Sequence, residues 1–202
     1  MSKLRQIQKE QRREAIVGAA LELFEARGYS ATTVEQIAVH VGISTPTVFN
    51  YFGSKQDILL AMMERADQRA VSAARLHMPS FDNAVDAMCY LESQIIRQEL
   101  EALPAPIWRE LLPLGLLTPR PEAASSLNRR LIQEVANLLR ELQERELLKA
   151  SIDVDFVADF LNDYSTVLFM RLVQDDAPDL EGHDRRIRQL TQTLFDGLAP
   201  NG

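Results

Sequence analysis

Apolar residues recur at three- and four-residue steps along nearly the whole chain, and no stretch keeps the two-residue alternation of a strand. That periodicity restricts the chain to an all-α fold, with about nine helices expected. The first carries Ile16, Ala19, Ala20, Leu23 and Phe24 on one stripe and stops at Gly28. Thr32 and Thr33 are alternative N-caps for a short second helix, paired at capping-box spacing with Glu35 and Gln36, and its inner face would be Val34, Ile37, Ala38 and Val41. Gly42 suits a left-handed turn, Ile43 plugs the corner, and Ser44 caps a third helix that runs to about Phe52. Helix, three-residue turn, helix is the result.

The remaining chain continues in the same period. A long fourth helix is expected from Lys55, capped by Ser54 with Asp57, through Ile58, Leu59, Met62, Met63 and Ala66 to about His77. Another spans about 81–102, with Phe81, Val85, Met88 and Ile95 on one stripe. The segment LPAPIWRELLPLGLLTPRP should then break into short helical pieces and loops at its prolines. A helix from Glu122 to about Leu148, one capped by Asp153, and a last one with Ile187, Leu190, Leu194 and Leu198 complete the count.

Composition excludes several classes of function. With 202 residues, 46% of them hydrophobic, the chain can bury one or two full cores. A single cysteine, Cys89, cannot form an internal disulfide, and three histidines make no cluster at metal-ligand spacing, which suits a reducing, cytoplasmic setting. No apolar run reaches membrane-spanning length and the polar start lacks a signal-peptide core, so neither export nor membrane insertion is expected. Enzyme chemistry finds no support. There is no Gly-rich phosphate loop, nucleophile elbow or zinc-helix motif, and Asp155, Asp159 and Asp163 fall four apart opposite an apolar face, as a solvated surface does. No catalytic residue, metal or cofactor is expected.

The net charge of −7 is unevenly spread: residues 1–55 hold seven Lys or Arg against five Asp or Glu, and the rest hold fifteen against twenty-four. Lys3, Arg5, Lys9 and Arg12 lie in what reads as a flexible arm, open to phosphate recruitment or simply to solvation. On the third helix Ser44, Val48 and Phe52 share one face, which leaves Thr45, Pro46, Thr47, Phe49, Asn50 and Tyr51 as a surface without an acid. Asn50 has the amide for bidentate adenine reading, with phosphate contact or solvation as the alternatives. Lys55, in the first turn of the fourth helix, opposes the helix dipole, and a phosphate there would answer its charge. A protein-only adaptor would leave this acid-free helix without purpose.

Arg13, Ile16, Ala19-Ala20, Leu23-Phe24, Gly28-Tyr29, Thr32-Thr33, Ile37-Ala38, Gly42-Ile43-Ser44, Thr47-Val48-Phe49-Asn50-Tyr51-Phe52 and Ser54-Lys55 together resemble the tetracycline-repressor (TetR) family over about residues 10–60. The resemblance implies a repressor that binds palindromic double-stranded operator DNA as a homodimer and is released by a small, often apolar effector. It implies a DNA-binding unit over 1–54 and an effector-binding and dimerisation unit over 55–202. Thr45 and Pro46 stand at base-reading positions, and Thr33, Thr47, Tyr51 and Lys55 at phosphate-gripping ones. Phe49 replaces the family's usual tyrosine, exchanging a phosphate hydrogen bond for packing on sugar or a thymine methyl, and Val41 stands where a smaller residue is usual.

Two further sites are expected from the C-terminal part. The last two helices carry more apolar surface than a domain edge should expose, so Val157, Leu161, Leu168, Leu190, Leu194 and Leu198 are candidates for a two-fold interface. Met88, Cys89, Trp108 and Tyr164 are candidates for a ligand cavity, with ordinary core packing as the alternative for each.

Overall fold

Capping chemistry sets the boundaries of the first helices. The computed structural model of the chain describes residues 3–117 and 122–197, with side chains over 3–112 and 129–197. Helix α1 (Lys3–Arg27) ends where Gly28 turns to a φ of 84°. Behind that corner Thr32 is buried, and its hydroxyl is shared between the carbonyls of Gly28 at 2.9 Å and Leu23 at 3.3 Å. Thr33 is therefore the N-cap of α2 (Val34–Val41), in a complete capping box with Gln36. Gly42, at a φ of 75°, closes α2, and Ser44 caps α3 (Thr45–Tyr51) by accepting the N–H of Thr47. Pro46 sits in the first turn of α3, where its missing N–H costs no hydrogen bond.

Two expectations change. The basic arm is helical from Lys3 onward, because Lys, Arg, Gln and Glu are good helix formers and nothing interrupts them before Ile16. The proline-containing segment is one helix over its described part, α6 (Ala105–Leu117), with Pro106 in the first turn and Pro113 inside it. Its α5 neighbour (Ala84–Ala102) starts on the Asn83 cap. Helix α4 (Lys55–Leu76) starts on Ser54, α8 (Val154–Leu172) on Asp153, and α9 (Leu180–Asp196) on Asp179, with α7 at Glu122–Glu144. The described residues thus form nine helices and no strand.

Packing divides the interior into two apolar clusters that share α4. The first gathers α1, α2, α3 and the N-terminal half of α4 around Ile16, Phe24, Ile37, Val48, Ile58 and Leu59, and extends through Ile96, Trp108, Leu111 and Phe169. The second joins Ala70, Val71 and Ala74, in the C-terminal half of α4, to Met88, Leu91, Leu139 and Leu142. Arg65 of α4 also pairs with Glu14 of α1. No helix of the described residues is long and apolar enough to cross a membrane.

Thr32→Val keeps the volume of the buried corner but leaves two carbonyls without their donor. It should lower unfolding free energy by about 1–3 kcal/mol, read as a lower urea midpoint at unchanged slope.

Candidate functional site

Helix α3 presents the surface that its sequence suggested. Val48 and Phe52 are buried, Pro46, Phe49 and Asn50 are exposed, and Thr45, Thr47 and Tyr51 are half-buried on the flanks. The Thr47 hydroxyl lies 2.8 Å from that of Ser44, so it is held beside the helix N-terminus. Helix formation in the basic arm adds a second element. Arg5, Lys9 and Arg12, at i, i+4 and i+7, line a groove with Gly42, Ile43 and Tyr51. A ridge of cations thus runs beside the turn and α3, the arrangement that a phosphate backbone next to a reading helix requires.

Lys55 has an internal role that the sequence did not reveal. Its ammonium donates to the carbonyls of Tyr29 at 2.7 Å and Thr32 at 2.8 Å, and lies 4.1 Å from the centroid of the Tyr29 ring. Charge at this first turn is answered by the end of the α1–α2 loop, leaving one of three donors for any outside anion. Thr33, the α2 cap, is exposed beside it.

A cavity of about 160 Å³ lies where the two apolar clusters meet. Met88 and Trp108, two of the four residues suggested for a ligand, line it with Met63, Leu111, Leu161 and Phe169. Cys89 and Tyr164 do not: Cys89 faces the α9 side, near Arg188 and Thr191, and burial pushes its thiol pKa up. The indole N–H of Trp108 donates to the backbone carbonyl of Glu99 at 3.1 Å, and its ring meets Phe169 edge-on at 5.0 Å.

The suggested interface residues largely serve their own chain. Leu168 is buried, Leu161 and Leu190 line the cavity, Val157 packs on the second cluster, and Leu194 is half-buried on the inner face of α9. Leu198 lies outside the described residues. The α9 stripe faces inward because His183, Ile187 and Thr191 on the same side fill the interior. The apolar surface left open is on α8, where Phe156, Phe160 and Val167 are 68%, 42% and 45% exposed on one face. Two apolar stripes wind along α8, and periodicity alone does not say which faces the interior.

The family model described as bacterial regulatory proteins, tetR family, matches residues 16–62, which hold the helix-turn-helix and the start of α4. Residues 16–62 thus carry the DNA-binding region of the TetR family. The TcmR transcriptional regulator of Streptomyces glaucescens is 38% identical over 85 residues, 42% of this chain and 37% of TcmR. EthR of Mycolicibacterium smegmatis is 34% identical over 90 residues, 45% of this chain and 38% of EthR. The chain thus spans well under half the length of these relatives. Over nearly its whole length it shares its fold with a Thermus thermophilus FadR, a TetR-family repressor in complex with lauroyl-CoA: TM-score 0.73, 23% identity, 94% of this chain and 98% of that one. A Bacillus subtilis FadR in complex with stearoyl-CoA gives a TM-score of 0.68 at 17% identity, covering 92% and 99%.

The cavity also has a polar side. Asp67 of α4 and Glu99 of α5 are buried there with their carboxyls hydrogen-bonded to each other. Burial is the main reason that the Asp67 pKa is pushed up to about 7, and burial with the charge of Asp67 raises that of Glu99 well above the carboxylate range. Glu92, hydrogen-bonded by Ser165, and Asn162 complete this wall. The Asn162 side-chain N–H₂ is buried without a partner among the described residues. Sequence reasoning missed these groups, although an acid on an apolar stripe was a legible sign: Asp67 follows Met63 by four, and Glu99 follows Ile95 by four.

Both acids bind a proton more tightly folded than unfolded, so their ionisation opposes folding, and stability falls as pH rises from about 4 through about 7. Glu64 on the same helix and Glu99 of α5 act on Asp67, Glu92 of α5 acts on Glu99, and the His183 ring of α9 lies 3.8 Å from Glu92. Asp67→Asn should therefore raise the thermal midpoint, and by more at pH 8 than at pH 5. A gain independent of pH would show that the buried pair does not carry the titration.

Proposed function

We propose that the chain is a ligand-responsive transcriptional repressor, not an enzyme, that binds a palindromic operator as a homodimer in the cytoplasm. Residues 1–54 act as the reading unit and 55–202 as the effector and dimerisation unit. The observation that carries this reading is the acid-free face of α3 beside the Arg5, Lys9 and Arg12 ridge. Thr45, Pro46 and Asn50 meet base edges, Phe49 packs on sugar or a thymine methyl, and Thr33, Thr47 and Tyr51 hold phosphates together with the ridge. Lys55 chiefly positions this unit by tying α4 to the α1–α2 loop, and its remaining donor serves a phosphate.

Dimerisation uses the open α8 face of Phe156, Phe160 and Val167, extended by the ends of α8 and α9. Such a dimer must hold its two α3 helices about 34 Å apart, one turn of the duplex, to dock both at once. A small molecule in the cavity displaces α4 between Met63 and Asp67, moves the reading units off that spacing and releases the operator. Coupling of this kind typically amounts to about 1–3 kcal/mol.

The acyl-CoA esters bound by the two FadR proteins do not suit this cavity in its present form. A space of about 160 Å³ is sized for a single ring, not a chain of twelve or more carbons, and its polar wall is acidic.

Fluorescence anisotropy with a selected inverted-repeat duplex tests the DNA reading. Affinity should fall steeply with salt, and alanine at Arg5, Lys9 and Arg12 together should flatten the log–log slope by about 0.9 for each phosphate that is no longer neutralised. Asn50→Ala should change the preference among operator variants. Salt-independent binding would contradict the DNA reading, and equal weakening on every variant would remove Asn50 from base reading. Phe160→Glu should give a monomer by sedimentation where the wild type is a dimer.

A further inference from the structure

The cavity's chemistry deepens the effector reading just given, on which it rests, by specifying what kind of molecule enters. Its walls divide sharply. Met63, Leu91, Trp108, Leu111 and Phe169 make an apolar body, while Asp67, Glu92 and Glu99 lie near one another in the wall. Among the described lining residues three are carboxylic acids and none is a Lys, Arg or His. An apolar space that shields Asp67 and Glu99 from water, with no Lys, Arg or His on its described wall, concentrates negative potential there. Glu92 has two neighbours, the Ser165 hydroxyl, which donates to it, and the His183 ring at 3.8 Å. Asp67 and Glu99 have each other, and two carboxyls in contact hold at most one full charge unless a cation joins them. Asn162, also on the cavity's lining and more than nine-tenths buried, keeps its side-chain N–H₂ without a partner among the described residues. A native protein rarely leaves such a donor unmatched away from a binding site, and keeping acids here costs stability.

We propose that the cavity takes a small apolar cation, a protonated amine on a body about the size of one aromatic ring, with the ammonium seated between Asp67 and Glu99. The ammonium supplies the donors that two carboxylates lack, and its arrival lets the pair release the proton they share. A carboxylate or phosphate ligand would place a third anion against the pair, and a neutral hydrocarbon would leave all of these polar groups unanswered. Volume sets the size: an apolar cavity of about 150 Å³ admits a single benzene ring, and this one measures about 160 Å³.

Three probes of nearly the same shape separate the possibilities: 2-phenylethylamine, phenylacetate and ethylbenzene, titrated into the full chain without DNA. The single tryptophan, Trp108, lines the cavity and reports occupancy by its emission. The amine should bind at least about tenfold tighter than either of the others, the effect of one charge-assisted hydrogen bond. Combining Asp67→Asn with Glu99→Gln should remove most of that preference while leaving ethylbenzene binding unchanged or stronger. Phenylacetate or ethylbenzene binding as tightly as the amine would overturn the proposal, and so would an amine that leaves Trp108 emission unmoved into the millimolar range. The wild-type series decides even if the double variant does not fold. Adding each probe to the operator complex separates this inference from the reading beneath it. Release by phenylacetate alone would keep the effector reading and sink the cationic ligand. An amine that binds and leaves the operator in place would keep the cation site and sink its role in release.

Discussion

Helix α4 belongs to two interiors at once, and the rest of the molecule is arranged by that fact. Ile58, Leu59 and Met62 complete the core of the helix-turn-helix, and Ala70, Val71 and Ala74 pack against α5 and α7. Between them stand Met63 and Asp67, on the cavity wall. The Lys55 bonds to Tyr29 and Thr32 and the Arg65–Glu14 pair tie the same helix to the N-terminal unit at its surface. The apolar core thus runs without a break across residues 54 and 55. A displacement of α4 cannot stay local, because close-packed interiors transmit shifts of this size.

The cavity sits where that continuity is weakest, between the clusters, and its acids are poor choices for stability. Desolvation raises both pKa values, and two methionine-sized apolar groups would pack the same space without that cost. Groups kept against stability in a concave interior are the usual mark of a working site. The family likeness supplies the frame for such a site and leaves its chemistry to this chain's own residues: acyl-CoA occupies the FadR structures of similar fold, whereas three acids line the cavity here.

Local signals were legible and long-range ones were not. Thr33, Ser44, Ser54, Asp153 and Asp179 cap helices because a cap depends on residues within one turn, and four of these starts could be placed from spacing alone. The inward side of α3, Val48 with Phe52 at its C-terminal end, followed from its 100° step. Lys55 could not be read, since its partners Tyr29 and Thr32 lie more than twenty residues away. Nor could the orientation of α9, whose leucine stripe suits an interior and an interface equally, or the separation of Trp108 from Tyr164, which depends on how α6 and α8 cross. Proline spacing overstated the breaks in α6, because Pro106 falls where a helix tolerates it.

Native-state hydrogen exchange on Leu111→Ala tests the continuity most directly. Leu111 is fully buried on the cavity wall, in the same cluster as Ile16 and Phe24. If α4 joins one cooperative core, the substitution should lower protection of the slowest amides of α1 as much as those of α6, by the same free energy. Amides of α1, α2 and α3 that keep wild-type protection while α6 loses its own would contradict the account, since those three helices would then be independent of the cavity.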